Sequence, residues 1–345
     1  MFAVLPYGYM FMAFMMVGTG LSLSSVHWLG IWAGMEVNLI GFLPLLIYEK
    51  KISESESGVK YFVIQALGSS LLLLGSLMLF SVFSWEILGT NFGSVMSFWL
   101  LLSGLCIKLG LFPFHYWLPG VMAGLSWLMC LLLATWQKIA PLFLMSCLIE
   151  LGNFHSMVLT LSFMSVGASL VGGMGGLNQT QMRALLAYSS IGHLGWMIFA
   201  LLHSEWSMKS YFFIYVIISI CLFCSLGMMD VGVMKNIQKL KMSSVFTVMM
   251  LLLLSLGGLP PLLGFISKWA VFLVSISGPV VFALPMLIVG SLLSLFYYLS
   301  LFFSIFLHGK CNLFMVKEEG YLLVSLGILN LLGGVVLLGH NILVF

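Results

Sequence analysis

Charged residues are scarce in this sequence. Only 7% of the 345 residues are Asp, Glu, Lys or Arg, whereas 62% are hydrophobic and the mean hydropathy is +1.18. A soluble domain has about a quarter of its residues charged. The sequence therefore cannot cover itself with a water-compatible surface, and its composition predicts a membrane protein. The formal net charge of +3 is too small to favour nucleic acid as a partner.

Signatures of a soluble catalytic domain are also missing. The glycine-rich stretch GGMGGL at 172–177 ends an apolar run instead of following a strand, so it does not predict a nucleotide loop. Cys221 and Cys224 have CxxC spacing but lie in an apolar run without a second pair nearby, which indicates packing. We expect no disulfide framework, no metal site and no NADH site. The longest polar stretch, EKKISESESGVK at 49–60, is predicted to be a loop.

Apolar runs, in contrast, follow one another along the whole chain. A membrane-spanning helix needs about 20 apolar residues, and it must be helical because lipid offers no partners to open backbone groups. The N-terminal run lacks a basic leader and is interpreted as the first span. We predict an all-α polytopic membrane protein, one domain over 1–345 with repeat halves at 1–150 and 151–310. Its eleven spans are predicted at 3–23, 26–48, 60–83, 94–119 (interrupted), 124–148, 156–177, 185–203, 210–230, 243–275 (interrupted), 280–308 and 321–343.

The basic residues outside these spans divide unequally between the two sides of the membrane. Successive loops lie on alternate sides of the membrane. Only Lys209 then falls on one side, and all the other basic residues outside the spans fall on the opposite side. The basic side is predicted to face the cytoplasm or the mitochondrial matrix, with the N-terminus on that side and the C-terminus opposite. The residues of the basic side are Lys50, Lys51, Lys60, Arg183, Lys235, Lys239, Lys241, Lys310 and Lys317.

Four ionisable residues remain inside the predicted spans: Glu36, Lys108, Lys138 and Lys268. A charge at the centre of a bilayer costs about 2.5–3.5 kcal/mol on insertion scales, so such residues usually face a bundle interior and have a function. His193, in YSSIGHLGW, adds a group that titrates near neutral pH. Two interpretations stay open for each of the five. One is proton transfer, and the other is a structural role such as packing, snorkelling or pairing with a carbonyl.

Two spans carry helix-breaking residues next to a lysine. Lys108 precedes Pro113, and Lys268 follows the segment GGLPP at 257–261. The breaks are five spans apart, so the two helices are predicted to run in opposite directions, as in inverted-repeat transporters. We expect two half-channels joined by a row of the five ionisable residues. His115, at the first break, is interpreted as a structural or exit-path residue.

Five stretches of the sequence together resemble the subunit 2 family of mitochondrial NADH:ubiquinone oxidoreductase, respiratory complex I. They are MEVNLIGFLPLL, KLGLFPFHYWLPGVMAGLSW, LLATWQKIAPLFL, GGLNQTQMRALLAYSSIGHLGW and SLGGLPPLLGFISKW. This family lies within the antiporter-like proton-pumping subunits, and its animal members have eleven spans. The resemblance implies that Glu36 pairs with Lys108, that Lys138 is the central connecting lysine, that His193 lies on the polar axis and that Lys268 belongs to the second broken helix.

The resemblance also implies what the protein does. It implies a membrane-arm core subunit of a proton-translocating NADH:ubiquinone reductase in the mitochondrial inner membrane, part of respiratory electron transport. NADH, FMN, iron–sulfur clusters and ubiquinone are expected in other subunits, with no redox centre or cofactor in this chain. Expected partners are other membrane-arm and accessory subunits and membrane lipid such as cardiolipin. The alternatives are a subunit of a cation/proton antiporter, a structural spacer, and ubiquinone reduction in this chain.

Overall fold

All regular elements in the described part of the chain are helices. The structure, a computed structural model, describes residues 7–48, 51–84, 91–152, 155–229, 244–276, 278, 280–308, 327, 330, 331, 333 and 334. This confirms the predicted all-α fold class. The last predicted span, 321–343, falls almost wholly outside these residues, as do Lys50, Lys235, Lys239, Lys241, Lys310 and Lys317.

The helices follow the apolar runs of the sequence. A short 3₁₀ turn, Val281–Ala283, leads into the last of them. In chain order they are α1 Gly8–Ser24, α2 Trp28–Leu46, α3 Ile52–Ser84, α4 Asn91–Leu109, α5 Trp117–Gly124, α6 Trp127–Ala134, α7 Trp136–Gly152, α8 His155–Leu177, α9 Met182–Leu201, α10 Glu205–Met229, α11 Ser244–Gly257, α12 Leu263–Ser275 and α13 Leu284–His308.

Seven stretches of the described helices are long and apolar enough to cross a membrane. Four shorter apolar helices, Gly8–Ser24, Val95–Leu109, Thr247–Gly257 and Leu263–Ser275, accompany them. Three of these short helices flank the two predicted interruptions, since α4 ends at Leu109 and the segment 258–262 separates α11 from α12. The chain is thus an integral membrane protein with both interruptions confirmed. The count of eleven spans stays a prediction.

The helices form two compact units, Met1–Met157 and Val158–Phe345. In the first unit, α1 packs along α2 and α3 packs along α4, while α7 contacts both α1 and α4. In the second unit, α10 packs against α9, α11 and α12, and α13 contacts α9 and α11. Each unit therefore holds one of the interrupted segments among its own helices. The predicted inverted relation of the halves stays a prediction.

The predicted loop at 49–60 is wrong, because α3 begins at Ile52 and includes most of this polar stretch. Glu54, in the first turn, is only 4% exposed, and the Ser57 hydroxyl donates to the Glu54 carbonyl at 2.8 Å. Helix α5 packs against this end of α3, with Gly124 next to the Ser53 carbonyl. Tertiary burial therefore extends the helix beyond its apolar part, which local hydropathy does not reveal.

Candidate functional site

The first interruption is a well-formed helix end. Gly110 has φ +73°, and its N–H donates to the Ile107 carbonyl at 3.2 Å, while the Leu111 N–H donates to the Cys106 carbonyl at 3.1 Å. These two bonds are those of a Schellman motif, in which a residue with positive φ, usually glycine, ends the helix. The next carbonyl, that of Lys108, accepts from Gln65 Nε2 at 3.5 Å. The carbonyls near residue 109, which a proline at 113 prevents from forming regular helical hydrogen bonds, are thus largely satisfied.

The second interruption repeats this geometry in the other unit. Gly258 has φ +84°, and its N–H donates to the Ser255 carbonyl at 3.0 Å, while the Leu259 N–H donates to the Leu254 carbonyl at 3.4 Å. The motif is again a Schellman ending with glycine at the left-handed position. The carbonyl of Gly257 then accepts a hydrogen bond from Lys268 Nζ at 2.9 Å. Both breaks therefore end a helix in the same way and place a lysine at that end.

Lys108 and Lys138 line one cavity in the first unit. Lys108 lies in the last turn of α4 and is 8% exposed, and Lys138 lies in the first turn of α7 and is 2% exposed. The cavity leaves about 20 Å³ for the centres of water molecules, and its polar lining includes Asn38, Gln65 and Gln137. The structure thus brings together two of the predicted residues. Because Lys108 is buried, it does not snorkel to the surface.

Glu36 lies on α2 and is half-buried. In the described residues, no Lys or Arg nitrogen lies within 4.0 Å of a Glu36 oxygen. Its Oε1 atom is buried without a hydrogen-bond partner. In this conformation Glu36 therefore forms no salt bridge with Lys108, and the implied partnership of the two residues stays a prediction.

The helix that carries Lys138 is irregular just before it. We predicted one span at 124–148, but α6 and α7 meet at Thr135, which has φ −114° and ψ −68°. The Thr135 hydroxyl donates to the Leu131 carbonyl at 2.7 Å, and the Lys138 N–H donates to the Thr135 carbonyl at 3.2 Å. Pro141 lies inside α7, and a proline ring crowds the carbonyl four residues earlier. The irregularity at Thr135 lies six residues before Pro141, between one and two helical turns upstream.

His193 and Lys268 line a cavity in the second unit. His193, on α9, is 8% exposed, and Lys268, on α12, is half-buried. The cavity leaves about 10 Å³ for the centre of a water molecule, and four serine residues contribute to its lining. In this conformation Lys268 is bonded to the Gly257 carbonyl, which uses one of the three N–H donors of an ammonium group. A pairing of this kind was the structural alternative considered for buried lysines.

His115 lies in the turn after the first break and is 3% exposed. Its ring centroid is 4.1 Å from that of Tyr116 and 6.0 Å from that of Phe112. These contacts show what holds the HYWLP segment in place. They are consistent with the structural interpretation, while the exit-path interpretation stays a prediction.

Tyr211 is a buried partner of His193 that the sequence analysis missed. Its hydroxyl lies 2.9 Å from His193 Nδ1, and the side chain is 1% exposed. The contact thus joins α9 to α10, and α10 also packs against α12, the helix of Lys268. The sequence offers only a weak signal for it, since a tyrosine near the start of an apolar run is a common interfacial residue.

Replacing Tyr211 with phenylalanine is expected to destabilise the second unit. The change removes one hydroxyl from a buried contact, and leaving a buried polar group without its partner costs about 1–3 kcal/mol. We expect the assembled protein to lose its helical signal at a temperature several degrees lower, about 2–4 °C on the scale of domains of this size. Thermal unfolding followed by circular dichroism in detergent measures this.

Tyr7→Phe is the matched control for that change. Tyr7 is 64% exposed and makes no side-chain cap hydrogen bond at the start of α1. Removing its hydroxyl should therefore change the free energy of unfolding by no more than about 0.5 kcal/mol. Equal unfolding temperatures for the two variants would contradict a stabilising role of the Tyr211 contact.

Comparison with known proteins places this arrangement in a family. The family described as "NADH:quinone oxidoreductase/Mrp antiporter, TM" matches residues 25–294, which include all five ionisable residues and both breaks. The protein named "NADH-ubiquinone oxidoreductase chain 2" from Locusta migratoria is 37% identical over 329 residues, covering 94% of this chain and 93% of its own. The protein of the same name from Anopheles gambiae is 40% identical over 314 residues, covering 90% and 89%.

A solved structure shares the fold. A chain of respiratory complex I from Thermus thermophilus with bound aureothin superposes with a TM-score of 0.78 and 24% identity. The match covers 95% of this chain and 78% of that one. The helical architecture is therefore that of the antiporter-like membrane subunits. Within this class, the chain belongs to the NADH-ubiquinone oxidoreductase chain 2 family, which confirms the resemblance seen in the sequence.

Proposed function

We propose that this chain is a membrane-arm subunit of respiratory complex I that moves protons across the mitochondrial inner membrane. Oxidation of NADH and reduction of ubiquinone then take place in other subunits, so that this chain has no redox centre and binds none of the cofactors. Its N-terminus lies on the matrix side and its C-terminus on the intermembrane-space side. Its partners are the other membrane-arm and accessory subunits, with lipid such as cardiolipin against the apolar outer faces of the helices.

One observation carries the proposal: each unit holds a polar cavity lined by two of the five ionisable residues. Lys108 and Lys138 share the first cavity, and His193 and Lys268 share the second. Buried ionisable groups are costly in a membrane, and each of these four faces space that water can enter. Proton transfer needs groups that can accept and release protons at positions that water can reach.

In the proposed mechanism, Glu36 stabilises the charged form of Lys108 in one state of the complex. When the distance between them increases, Lys108 releases a proton through water to Lys138. The proton continues through water and His193 to Lys268, whose bond to the Gly257 carbonyl must then break. Such coupling requires two states with different charge pairing.

A water-resolving structure of the intact complex tests this proposal. We expect ordered waters that link the Lys108 and Lys138 amines in the first cavity, and others that link His193 with Lys268 in the second. The physical reason is that these polar groups need hydrogen-bond partners, and each cavity has about the room that one water molecule requires. Dry cavities, with each lysine bonded only to backbone carbonyls, would contradict a proton path and favour the structural spacer.

A cation/proton antiporter is the second candidate, because the matched family description also covers Mrp antiporters. The same lysines would then exchange protons for sodium. Proteoliposomes with the intact complex discriminate between the two functions. Proton uptake that depends on NADH and ubiquinone and is unaffected by removing sodium supports the complex I function. Proton movement that follows an imposed sodium gradient without NADH supports the antiporter.

A further inference from the structure

Two side-chain amides form a reciprocal pair inside the first unit. Asn38 Nδ2 donates to Gln137 Oε1 at 3.0 Å, and Gln137 Nε2 donates to Asn38 Oδ1 at 3.1 Å. The residues are 99 positions apart, on α2 and α7. Asn38 is 6% exposed and Gln137 is half-buried. Both line the cavity that Lys108 and Lys138 share.

The pair uses only part of its hydrogen-bonding capacity. A carboxamide has two N–H donors and two lone pairs on its oxygen. The reciprocal pair accounts for one N–H and one lone pair of each amide. One donor and one acceptor on each residue are thus left over at the edge of a polar cavity. Water in that cavity can bind both kinds of group.

An amide has a chemical advantage over a titratable group at this position. It does not gain or lose a proton near neutral pH, so it orients water without holding the proton that passes. A carboxylate or an imidazole at the same place would compete with the lysines for that proton. Because Lys138 follows Gln137 directly in the chain, the hydrogen-bond pair also fixes the backbone that carries this lysine.

We propose that Asn38 and Gln137 are positioning residues for the proton step between Lys108 and Lys138. Their paired amides hold α2 against α7, and their remaining N–H and carbonyl groups orient the water between the two amines. In this step an N–H bond of the Lys108 ammonium breaks, one proton passes along the water, and an N–H bond forms on the neutral amine of Lys138. The charge of +1 moves with the proton, and nothing is oxidised or reduced. The inference rests on the proposed function.

Near-isosteric substitutions test this role in the intact complex. Asn38→Leu and Gln137→Met keep the side-chain volume and remove the amides. In proteoliposomes, each variant and their combination should lower NADH-driven proton pumping about tenfold, because the loss of such a hydrogen bond changes a rate or equilibrium constant by about this factor. The kinetic isotope effect of D₂O on pumping should rise, because proton transfer through poorly oriented water becomes slower than the other steps. A purely structural pair would change neither property in complexes that assemble normally.

The exchanged pair Asn38→Gln/Gln137→Asn is the control. It moves one methylene group from α7 to α2 and keeps two facing amides, so it should pump within about twofold of the wild type. Pumping about tenfold below that of the wild type by an assembled exchanged variant would overturn the proposal, whether or not the apolar variants assemble.

Lys108→Met, measured in parallel, separates this inference from the proposed function. Wild-type pumping and isotope effect in Asn38→Leu/Gln137→Met, beside a defective Lys108→Met, would overturn the positioning role alone. Wild-type pumping in Lys108→Met would overturn the proposed function and the inference together.

Discussion

Replacing Lys108 with methionine is expected to lower NADH-driven proton pumping about a hundredfold or more, which is the contribution typical of a positioned proton-transfer group. Among the described residues of α4, Lys108 alone brings a titratable atom to the first cavity, and the variant loses it. Assembly should persist, because an unbranched methionine has nearly the length of the lysine stem that packs against Gly68 of α3. Reduction of a water-soluble acceptor by NADH, which bypasses the membrane arm, should keep its wild-type rate.

Lys60→Met is the matched control. Its side chain is 56% exposed and forms only a 3.8 Å pair with Glu56 one turn away, and such surface pairs contribute little. Its pumping should equal that of the wild type.

A second comparison tests how Glu36 acts. If its carboxylate works only through the charge of Lys108, Glu36→Gln should be harmful alone and harmless in the Lys108→Met background. Additive losses would show that Glu36 has a role of its own. Wild-type pumping by an assembled Lys108→Met complex would be incompatible with the proposed proton path.

Gly264→Ala is expected to prevent most of the protein from assembling. Gly264 lies in the first turn of α12, and a Cβ atom added there would overlap the carbonyl oxygen of Ser255 on α11. Both groups are held by helical backbone on either side of the second break, so neither can move aside like a flexible side chain. Overpacking of this kind costs about 1–3 kcal/mol and more where backbone is involved. We expect at least about a tenfold decrease in assembled complex, which native electrophoresis measures.

Gly120→Ala provides the comparison for that variant. Gly120 also lies in a short helix near a break, α5, but in the described part of the chain no atom outside the adjoining helix backbone lies within 4 Å of the Cβ that alanine would add. Alanine is favoured over glycine in a helix by about 1 kcal/mol. The amount of assembled Gly120→Ala complex should therefore match or exceed that of the wild type. Equal amounts for both variants would mean that α11 and α12 do not approach as closely as described.

The helix breaks could be predicted because their cause is local. Proline removes a donor and glycine permits positive φ, and both effects can be read from a few consecutive letters. Pro113 and the segment 257–261 therefore located the interruptions, and hydropathy alone located the buried lysines beside them. The resemblance to a known family then supplied the roles of these lysines, which spacing alone left open.

The contacts between distant helices could not be predicted. In the sequence, Asn38 and Gln137 are simply polar residues near Glu36 and Lys138. The local sequence does not indicate that two residues 99 positions apart form a contact. The partner of His193, Tyr211, was missed for the same reason. The early start of α3 depends on burial against α5, and hydropathy assigned its polar first turns to a loop. In each case tertiary packing, and not the local sequence, determines the contact or the helix boundary.

The shared geometry of the two breaks has an electrostatic consequence. Aligned peptide groups give the C-terminus of a helix a partial negative charge, and a cation there gains about 0.3–1 kcal/mol, up to about 2 where partly buried. Lys108 lies in the last turn of α4, and Lys268 donates to the carbonyl that ends α11. In the described residues, no carboxylate oxygen lies within 4.0 Å of either amine. The macrodipoles of two half-helices thus act as non-titrating counter-charges, which stabilise each ammonium group without offering its proton another site.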